Sequence, residues 1–237
     1  MKWFNNLISF FFPEYCYLCK KELKHWQVLF CSDCIEKLPF INKYCKRCGN
    51  LLPENIPLSK GSICGTCYNQ EIYFDKIKPI FAYKPPISDL IKKAKYEAKF
   101  DMAKLIGRFI KRFSLSYLQE LNFDYLIPVP MHPKRLILRG YNHALIMAMG
   151  IDKNKILLDA LHKKRYTVSQ TKLSRKERLN NVKNSFAVSD KYKSILKDKK
   201  ILLFDDVATT CATLNEIAKL LKKLKVKEVF ALVIAKN

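Results

Sequence analysis

Short apolar runs alternate with amphipathic stretches along the part of the chain that follows residue 70. The apolar runs predict four strands, at Ile77–Tyr83, Asp124–Pro130, Lys200–Asp205 and Glu228–Ala235. Between the first two, Ile87–Phe113 has the spacing of a long basic helical region. Strands separated by helical stretches favour a parallel sheet flanked by helices. We therefore predict an α/β domain over residues 76–237, with a boundary near residue 75.

The run Lys200–Asp205 is apolar enough to be buried on both faces of such a sheet. A helix is predicted to begin near Thr213, because the following apolar residues share one stripe. The stripe consists of Leu214, Ile217, Ala218, Leu221 and Leu224. Thr213 and Glu216 have the spacing of a capping box, which indicates the same helix start. Residues 207–212 are therefore expected to turn at the carboxyl end of the sheet.

This turn is a candidate anion site. Backbone amides at a helix start attract anions, and the hydroxyls of Thr209, Thr210 and Thr213 lie in the same segment. Asp205 and Asp206 come immediately before it and are suited to accept hydrogen bonds from two ribose hydroxyls. A purely structural alternative is that the acids only end a strand and cap a turn. The pattern by itself leaves both interpretations open.

Eight cysteines lie in the first 67 residues as four C-x-x-C pairs. The pairs are Cys16/Cys19, Cys31/Cys34, Cys45/Cys48 and Cys64/Cys67. A C-x-x-C turn places two thiolates on one side of a tight knuckle, and two knuckles complete a tetrahedral zinc site. The pattern therefore predicts a small module over residues 1–75 that holds two structural Zn²⁺ ions.

The intervening segments of 11 and 15 residues fit sequential pairing of the knuckles in two short ribbons, while a cross-braced arrangement stays open. Disulfides are disfavoured, because the sequence shows no export signal. Redox chemistry by one pair is the rival function. Redox C-x-x-C motifs, however, stand singly at a helix start rather than four times in succession.

The charge balance indicates a polyanionic partner. The chain has 44 Lys+Arg against 21 Asp+Glu, a formal net charge of +23. Nucleic acid or an acidic membrane surface would each account for such an excess. A generally lysine-rich composition, with charge spread over every solvated face, is the alternative.

The apolar run Leu7–Phe12 is too short for a transmembrane helix or a signal-peptide core. We therefore expect a cytoplasmic protein. Aromatic residues beside this run prefer membrane interfaces, so association with the inner membrane stays open, although packing against the protein is favoured.

Three segments together resemble the ComF/ComFC competence family. KILLFDDVATTCATLNE (200–216) is similar to the phosphoribosyl pyrophosphate motif of type I phosphoribosyltransferases, in which two acids precede a Thr-Thr-Gly-Ala-Thr loop. YLIPVPMHPKRLILRGYNHA (125–144) and VSQTKLSRKERLNNVKNSFAV (168–188) resemble the competence family itself, as do the cysteine knuckles. The resemblance covers essentially the whole chain.

This resemblance implies a double zinc ribbon followed by a type I phosphoribosyltransferase-like domain. It implies proteins that handle single-stranded DNA as it enters the cytoplasm during natural transformation, with other DNA-uptake proteins at the inner membrane as possible partners. It also implies binding of phosphoribosyl pyrophosphate together with Mg²⁺. The residues implied to bind that ligand are Asp205, Asp206, Val207, Ala208, Thr209, Thr210, Cys211, Ala212 and Thr213.

Two further segments take their expected roles from the same resemblance. Pro128–Arg135 would form the loop on the pyrophosphate side, and Gln170–Arg178 would form a hood over the site. Cys211 departs from the family pattern, because it replaces the loop glycine. If the position needs a positive φ or a close phosphate approach, cysteine weakens the site. A passive replacement and a redox-sensitive thiol at a helix start are the two alternatives.

Two basic clusters with interleaved aromatic residues predict the DNA surface. Cations neutralise phosphates, and aromatic faces stack on unpaired bases. The predicted DNA-binding residues are Lys134, Arg135, Arg139, Lys163, Lys164, Arg165, Tyr166, Lys172, Arg175, Lys176 and Arg178. A third basic run from Lys92 to Arg112 is interpreted as a solvated helix face. His132 and His143 are interpreted as loop hydrogen-bonders, not metal ligands.

Two functions from different classes follow. The favoured one is a DNA-uptake protein that binds single-stranded DNA and phosphoribosyl pyrophosphate. The alternative is an active phosphoribosyltransferase with an unidentified acceptor. The first is favoured because no motif identifies an acceptor pocket or a group that stabilises the transition state. The sequence does not predict catalytic residues or the oligomeric state.

Overall fold

The computed structural model describes residues 15–53, 63–68, 71–96, 100–166 and 175–237. These residues form six strands: β1 (Lys76–Ala82), β2 (Tyr125–Pro128), β3 (Leu161–Lys163), β4 (Phe186–Val188), β5 (Lys200–Ala208) and β6 (Glu228–Lys236). They also form nine α-helices: α1 (Ser32–Ile35), α2 (Gly65–Tyr68), α3 (Ile87–Tyr96), α4 (Phe100–Leu121), α5 (Pro133–Arg139), α6 (His143–Asp152), α7 (Arg175–Val182), α8 (Asp190–Leu196) and α9 (Ala212–Lys223). The side chains of Thr66, Tyr68, Arg175, Lys176, Arg178 and Leu179 lie outside the description.

The central sheet is parallel and has the strand order β1-β6-β5-β2. Its two longest strands pair from Lys200 opposite Glu228 to Ala208 opposite Lys236. A separate antiparallel pair joins β3 to β4. The predicted α/β fold with a parallel sheet is therefore confirmed, and all four predicted strands of the sheet are present.

Helices cover both faces of the sheet. Side chains of β5 alternate between them, so that Leu202 and Phe204 contact the α4 and α6 side, whereas Ile201 and Leu203 contact the α9 side. This alternation follows from the two-residue period of a strand. It explains why the β5 sequence is a continuous apolar run.

Three predicted boundaries differ from the structure. The basic region Ile87–Phe113 is two helices, α3 and α4, with residues 97–99 outside the description. Strand β5 extends to Ala208, because its pairing with β6 continues past the two aspartates. Helix α9 begins at Ala212 with Cys211 as its N-cap, so the predicted capping box at Thr213 is wrong. The carboxylate of Glu216 instead accepts a hydrogen bond from the backbone N–H of Asn184, at 2.7 Å.

Two glycines allow α4 and α6 to cross with their backbones in contact. A Cβ atom on Gly107 would lie 2.1 Å from the carbonyl oxygen of Met147. A Cβ atom on Gly150 would lie 2.7 Å from the backbone nitrogen of Arg108. Any larger residue at either position would push the helices apart.

The cysteine-rich module shares its core with the sheet domain. Phe30 of the module and Phe109 of α4 have ring centroids 5.1 Å apart, and both belong to the same buried cluster. Backbone hydrogen bonds join Ile41 to Ile80 and Ala82 to Pro39, so the module also covers the β1 edge of the sheet. The expectation that the module packs directly on the sheet is confirmed. The boundary at residue 75 stays a prediction.

Candidate functional site

A cavity of about 320 Å³ opens at the carboxyl ends of β2 and β5. Its walls are the β2–α5 loop, the start of α6, the end of α3 and the β5–α9 loop, and strand β3 contributes Lys163. Parallel strands bring their carboxyl ends to one edge of the sheet, and ligands of open α/β folds bind there. Asp205, Asp206, Val207, Thr209 and Thr213 of the predicted ligand loop line this cavity.

Asp206 is buried in an ion-pair network at the floor of the cavity. Its Oδ2 lies 2.6 Å from the Lys95 ammonium and 3.1 Å from Nε2 of His143. Its Oδ1 accepts the backbone N–H of Val207 at 2.7 Å. Burial tends to raise the pKa of this carboxyl, but Lys95 and His143 outweigh it and hold the pKa well below its usual range. Asp206 therefore carries a negative charge that the protein itself already neutralises.

Asp205 has the opposite electrostatics. Its Oδ1 accepts the N–H of Asp206 at 2.9 Å, and the side chain is half-buried at the cavity wall. Burial raises the pKa of Asp205, and the adjacent charge of Asp206 raises it further. Hydrogen bonds donated by a ligand would therefore stabilise the carboxylate form of Asp205. The two neighbouring aspartates are thus not equivalent: Asp206 is paired with Lys95 and His143, while Asp205 forms no ion pair with any described residue, although Lys95 and Lys163 are close enough to interact with its charge.

The β5–α9 loop has the geometry of a phosphate-binding turn. Cys211 adopts φ 58° and ψ 11°, which is the left-handed region that favours glycine. The buried ammonium of Lys236 donates to the carbonyl oxygen of Thr209. A positive charge therefore lies directly beneath the loop, and it adds to the attraction of the α9 N-terminus for anions.

The thiol of Cys211 explains how a side chain is accommodated at this position. It is buried and donates a hydrogen bond of 3.1 Å to the backbone carbonyl of Cys48, in the cysteine-rich module. One turn further along α9, the Asn215 amide donates to the carbonyl of Glu71 at 2.8 Å and accepts the N–H of Tyr73 at 2.7 Å. Three hydrogen bonds thus attach the start of α9 to the module and to the segment that follows it.

The loop on the other side of the cavity is held by two helix caps. His132 caps α5, because its Nδ1 accepts the N–H of Lys134 at 3.2 Å. Partial burial lowers the pKa of His132, and the nearby cations lower it further, so the acceptor form is favoured. Asn142 caps α6 through the N–H of Ala144 and donates to the carbonyl of Val129 at 3.1 Å. The interpretation of His132 as a loop hydrogen-bonder is confirmed. His143, in contrast, is a helix residue paired with Asp206.

The structure brings part of the predicted DNA surface together beside the cavity. The Tyr166 ring lies 5.2 Å from the His132 ring, with Lys134 and Arg135 at 5.8 and 5.6 Å from its centroid. Arg139 lies over the exposed ring of Tyr96, at 5.0 Å.

Other members of that predicted surface are placed differently. Lys163 lines the cavity, where burial and neighbouring arginines lower its pKa to about 8. Arg165 donates to the carbonyls of Asn181 and Lys183, and Lys164 is exposed. Lys172 lies outside the described residues, as does most of the predicted hood, and nothing is described of the side chains of Arg175, Lys176 and Arg178.

Four residues of the site were not identified from the sequence, namely Lys95, Asn142, Asn215 and Lys236, and His143 was expected in a loop. Lys95, Asn215 and Lys236 act through partners that are distant along the chain. Lys95 belongs to the basic run that was interpreted as a solvated helix face, and this interpretation is wrong for Lys95, which is largely buried beside Asp206. The N-cap pattern at Asn142, before an apolar helix, was the one local signal that could have been found.

The eight module cysteines form two groups of four, Cys16, Cys19, Cys31 and Cys34 in the first group and Cys45, Cys48, Cys64 and Cys67 in the second. Within each group all sulfur atoms lie within 4.8 Å of one another. Sequential pairing of the knuckles is therefore confirmed, and the cross-braced arrangement is wrong.

The sulfur spacing fits zinc. A tetrahedron with Zn–S bonds of about 2.3 Å has edges of about 3.8 Å. The observed separations are 3.6 Å for Cys19 and Cys31, 3.7 Å for Cys45 and Cys67, and 3.4 Å for Cys48 and Cys64. These distances far exceed the roughly 2.05 Å of a disulfide bond. Both groups have the donor set and the geometry of a structural Zn²⁺ site.

The apolar run Leu7–Phe12 lies outside the described residues. Among the residues that the structure describes, no helix is both long and apolar enough to span a bilayer.

Protein-family models match both the N-terminal and the C-terminal part of the chain. The model of the double zinc ribbon domain matches residues 7–68, and that of the phosphoribosyl transferase domain matches residues 144–237. Two solved structures show partial similarity. A hypoxanthine phosphoribosyltransferase from Staphylococcus aureus is 15% identical with a TM-score of 0.34, covering 56% of this chain and 63% of that chain. A purine phosphoribosyltransferase from Pyrococcus horikoshii is 18% identical with a TM-score of 0.32, covering 55% of this chain and 83% of that chain.

Curated relatives match along most of the chain. Competence protein F of Haemophilus influenzae is 32% identical over 226 residues, covering 92% of this chain and 95% of that protein. Competence protein ComFC of Streptococcus pneumoniae is 30% identical over 203 residues, covering 84% of each. The DNA utilization protein YhgH of Escherichia coli K12 is 26% identical over 218 residues, covering 88% of this chain and 91% of that protein. The chain therefore belongs to the ComF/ComFC competence protein family.

Proposed function

We propose that this protein acts in DNA uptake, where it binds phosphoribosyl pyrophosphate in the cavity and single-stranded DNA on the adjoining basic surface. The observation that carries the proposal is the meeting of Asp205, the positive-φ loop at Cys211 and several cations around one cavity. The names of the relatives, competence protein and DNA utilization protein, support the DNA-uptake role.

The cavity offers complementary groups for each part of a phosphorylated ribose. Asp205 would accept hydrogen bonds from the ribose hydroxyls, which would stabilise a carboxyl group whose pKa is raised by burial and by the adjacent charge of Asp206. The amides at the start of α9 would bind the 5′-phosphate, with Lys236 beneath them. Arg135 and Lys163 would face the pyrophosphate side. Mg²⁺ would be held mainly by ligand oxygens and water.

The role of Asp206 is indirect in this proposal. Its carboxylate holds Lys95 and His143 at the cavity floor, which fixes the end of α3 and the start of α6 relative to β5. Asp206 is 3% exposed and already has three hydrogen-bond or ion-pair partners, so we expect it to contribute less to ribose binding than Asp205 does. Asparagine at position 205 should therefore abolish ligand binding. Asparagine at 206 should weaken it through the altered cavity floor.

Isothermal titration of the zinc-loaded protein with phosphoribosyl pyrophosphate and Mg²⁺ tests this part. We expect binding by the wild type, loss of binding in Asp205→Asn, and unchanged binding in the exposed control Asp190→Asn. Wild-type protein that does not bind the compound would refute the assignment of the cavity. Release of pyrophosphate in the presence of nucleobases or DNA would instead support the alternative, an active phosphoribosyltransferase.

Single-stranded DNA is proposed to contact the rim of the cavity. Tyr166 and Tyr96 are 49% and 70% exposed, with two cations over the Tyr166 ring and one over the Tyr96 ring. Exposed rings stack on unpaired bases, while cations neutralise phosphates. Fluorescence anisotropy with a labelled oligonucleotide should show binding that weakens steeply with added salt. Affinity that does not depend on salt would contradict this surface.

We further propose that the protein works at the cytoplasmic side of the inner membrane, together with other DNA-uptake proteins. The apolar run Leu7–Phe12 and the net charge of +23 support contact with an anionic membrane surface. Cell fractionation tests this proposal, since deletion of residues 1–12 should shift the protein from the membrane to the soluble fraction.

A further inference from the structure

Helix α4 carries a stripe of cations that do not line the cavity. Lys104, Arg108 and Arg112 are spaced four residues apart, so they lie on one side of the helix. Two adjoining hollows of about 390 and 560 Å³ follow this side, and both have Arg108 and Gly150 in their walls. We call these two hollows together the α4 groove. Gly150, at the close crossing of α4 and α6, lies in the walls of both hollows.

The α4 groove is strongly positive. Lys104, Arg108, Lys111, Arg112 and Lys153 line it, and no carboxylate among the described residues does. Like charges four residues apart on a helix destabilise it. A solvated helix face with interspersed acids would avoid that repulsion, so the stripe is better explained by an anionic partner than by solvation alone.

Exposed aromatic rings border the same groove at both ends. Trp26 and Phe100 are each 47% exposed. The guanidinium of Arg112 lies 5.4 Å from the Trp26 ring centroid, and the Lys24 ammonium lies 5.9 Å from it. Trp26 belongs to the first zinc ribbon, between Cys19 and Cys31. The ribbon thus holds an indole ring beside the α4 cations.

The groove is continuous with the mouth of the cavity. Phe100 contacts Tyr141 with ring centroids 5.8 Å apart. Arg139, two residues before Tyr141, lies over Tyr96, which lines the cavity. Rings and cations therefore follow one another from the cavity rim to the first ribbon.

We infer that the α4 groove binds single-stranded nucleic acid and extends the rim surface toward the first zinc ribbon. The inference rests on the proposed binding of single-stranded DNA. Exposed rings at both ends of a row of cations suit a strand with unpaired bases, because the bases of a duplex are already stacked. A bilayer is met by protruding residues, whereas these cations and rings line hollows. From Phe100 to Arg112 the helix rises about 18 Å, which matches on the order of five stacked nucleotides.

Fluorescence anisotropy with a labelled 20-nucleotide oligothymidine and zinc-loaded full-length protein tests the inference. Arg108→Ala/Arg112→Ala should reduce affinity and lower the slope of log affinity against log salt by about 1.4, which corresponds to two phosphate contacts. Trp26→Leu should lose about fivefold or more, while Trp26→Phe retains the affinity because a ring is preserved. A loss that phenylalanine rescues separates stacking from a merely structural role of the indole.

The matched control is Lys219→Ala/Lys223→Ala, an exposed pair with the same spacing on α9, on the opposite face of the sheet. We expect the control to bind as the wild type. If the groove variants and the control bind the oligothymidine equally well and only Lys134→Ala loses affinity, the inference about the α4 groove is wrong. The proposed function would then remain supported. Wild-type protein without affinity for single strands would refute both. Groove variants that lose binding to anionic vesicles or to duplex DNA, but not to the oligothymidine, would also overturn it.

Discussion

Replacing Asp206 with asparagine is expected to destabilise the protein, whereas the same change at Asp205 is expected to stabilise it at alkaline pH. Asparagine is nearly isosteric with aspartate and can still accept the N–H of Val207. What changes at position 206 is the charge that neutralises Lys95, whose side chain is only 19% exposed. Leaving one partner of a buried ion pair uncompensated costs about 3–5 kcal/mol.

This cost converts into a large shift of the melting temperature. For a protein of this size, 1 kcal/mol corresponds to roughly 2–4 °C, so Asp206→Asn should lower the melting temperature by roughly 6–20 °C at pH 7. The pKa of Asp206 is depressed in the folded state, so its contribution is present above the unfolded pKa and is lost as the pH falls. The difference in melting temperature between the wild type and Asp206→Asn should therefore become smaller at acidic pH.

The contribution of Asp205 to stability changes with pH in the opposite direction, because its pKa is raised in the folded state. Its contribution to stability is present below the unfolded pKa and is lost as the pH rises through the folded pKa. Above that pH the wild type carries a charged, half-buried carboxylate beside Asp206, and Asp205→Asn removes it. The variant should then melt above the wild type at pH 9, with a smaller difference at pH 5.

Thermal unfolding followed by circular dichroism at several pH values, with zinc content held constant, measures both effects. The exposed Asp190, paired with Lys193 at 2.6 Å, provides the control. Its asparagine variant should melt close to the wild type. The reasoning fails if both cavity variants shift in the same direction, or if Asp206→Asn behaves as the control does.

Three further predictions concern the zinc sites and the contacts between the two halves of the chain. Metal analysis of purified protein should give two zinc ions per chain, and thiols titrated as disulfides without zinc would contradict both sites. Cys211→Ala should destabilise the protein more than Cys211→Gly, because alanine keeps the strained φ of 58° while losing the thiol hydrogen bond to Cys48, as differential scanning calorimetry would show. Asn215→Ala removes the hydrogen bonds with Glu71 and Tyr73, so it should weaken binding of phosphoribosyl pyrophosphate several-fold with unchanged zinc content. Full affinity in a titration would show that these hydrogen bonds do not support the phosphate-binding loop.

The surroundings of Cys211 show which backbone conformation this loop position requires. The loop does require the left-handed conformation, and the residue is not a passive replacement at an unstrained position. The buried thiol and its bond to the Cys48 carbonyl offset the strain of a non-glycine residue. Whether the cysteine weakens phosphate binding stays a prediction for titration of Cys211→Gly.

Local patterns in the sequence determined much of this protein. The four C-x-x-C pairs, the apolar run of β5 and the acidic pair before the β5–α9 loop each lie within a few consecutive residues. Strand burial and knuckle geometry depend on that local spacing, so periodicity and ligand spacing were enough to predict them.

Only the tertiary structure decided how these parts meet. The thiol of Cys211 contacts a carbonyl 163 positions away along the chain, and Asn215 contacts residues 142 and 144 positions away. The sequence could not show that Asp206 is neutralised by Lys95 and His143 while Asp205 is not, although both aspartates are identical and adjacent. A side chain's charge state and role depend on the groups that folding brings within a few ångströms of it, and side-chain type and local spacing do not identify those groups.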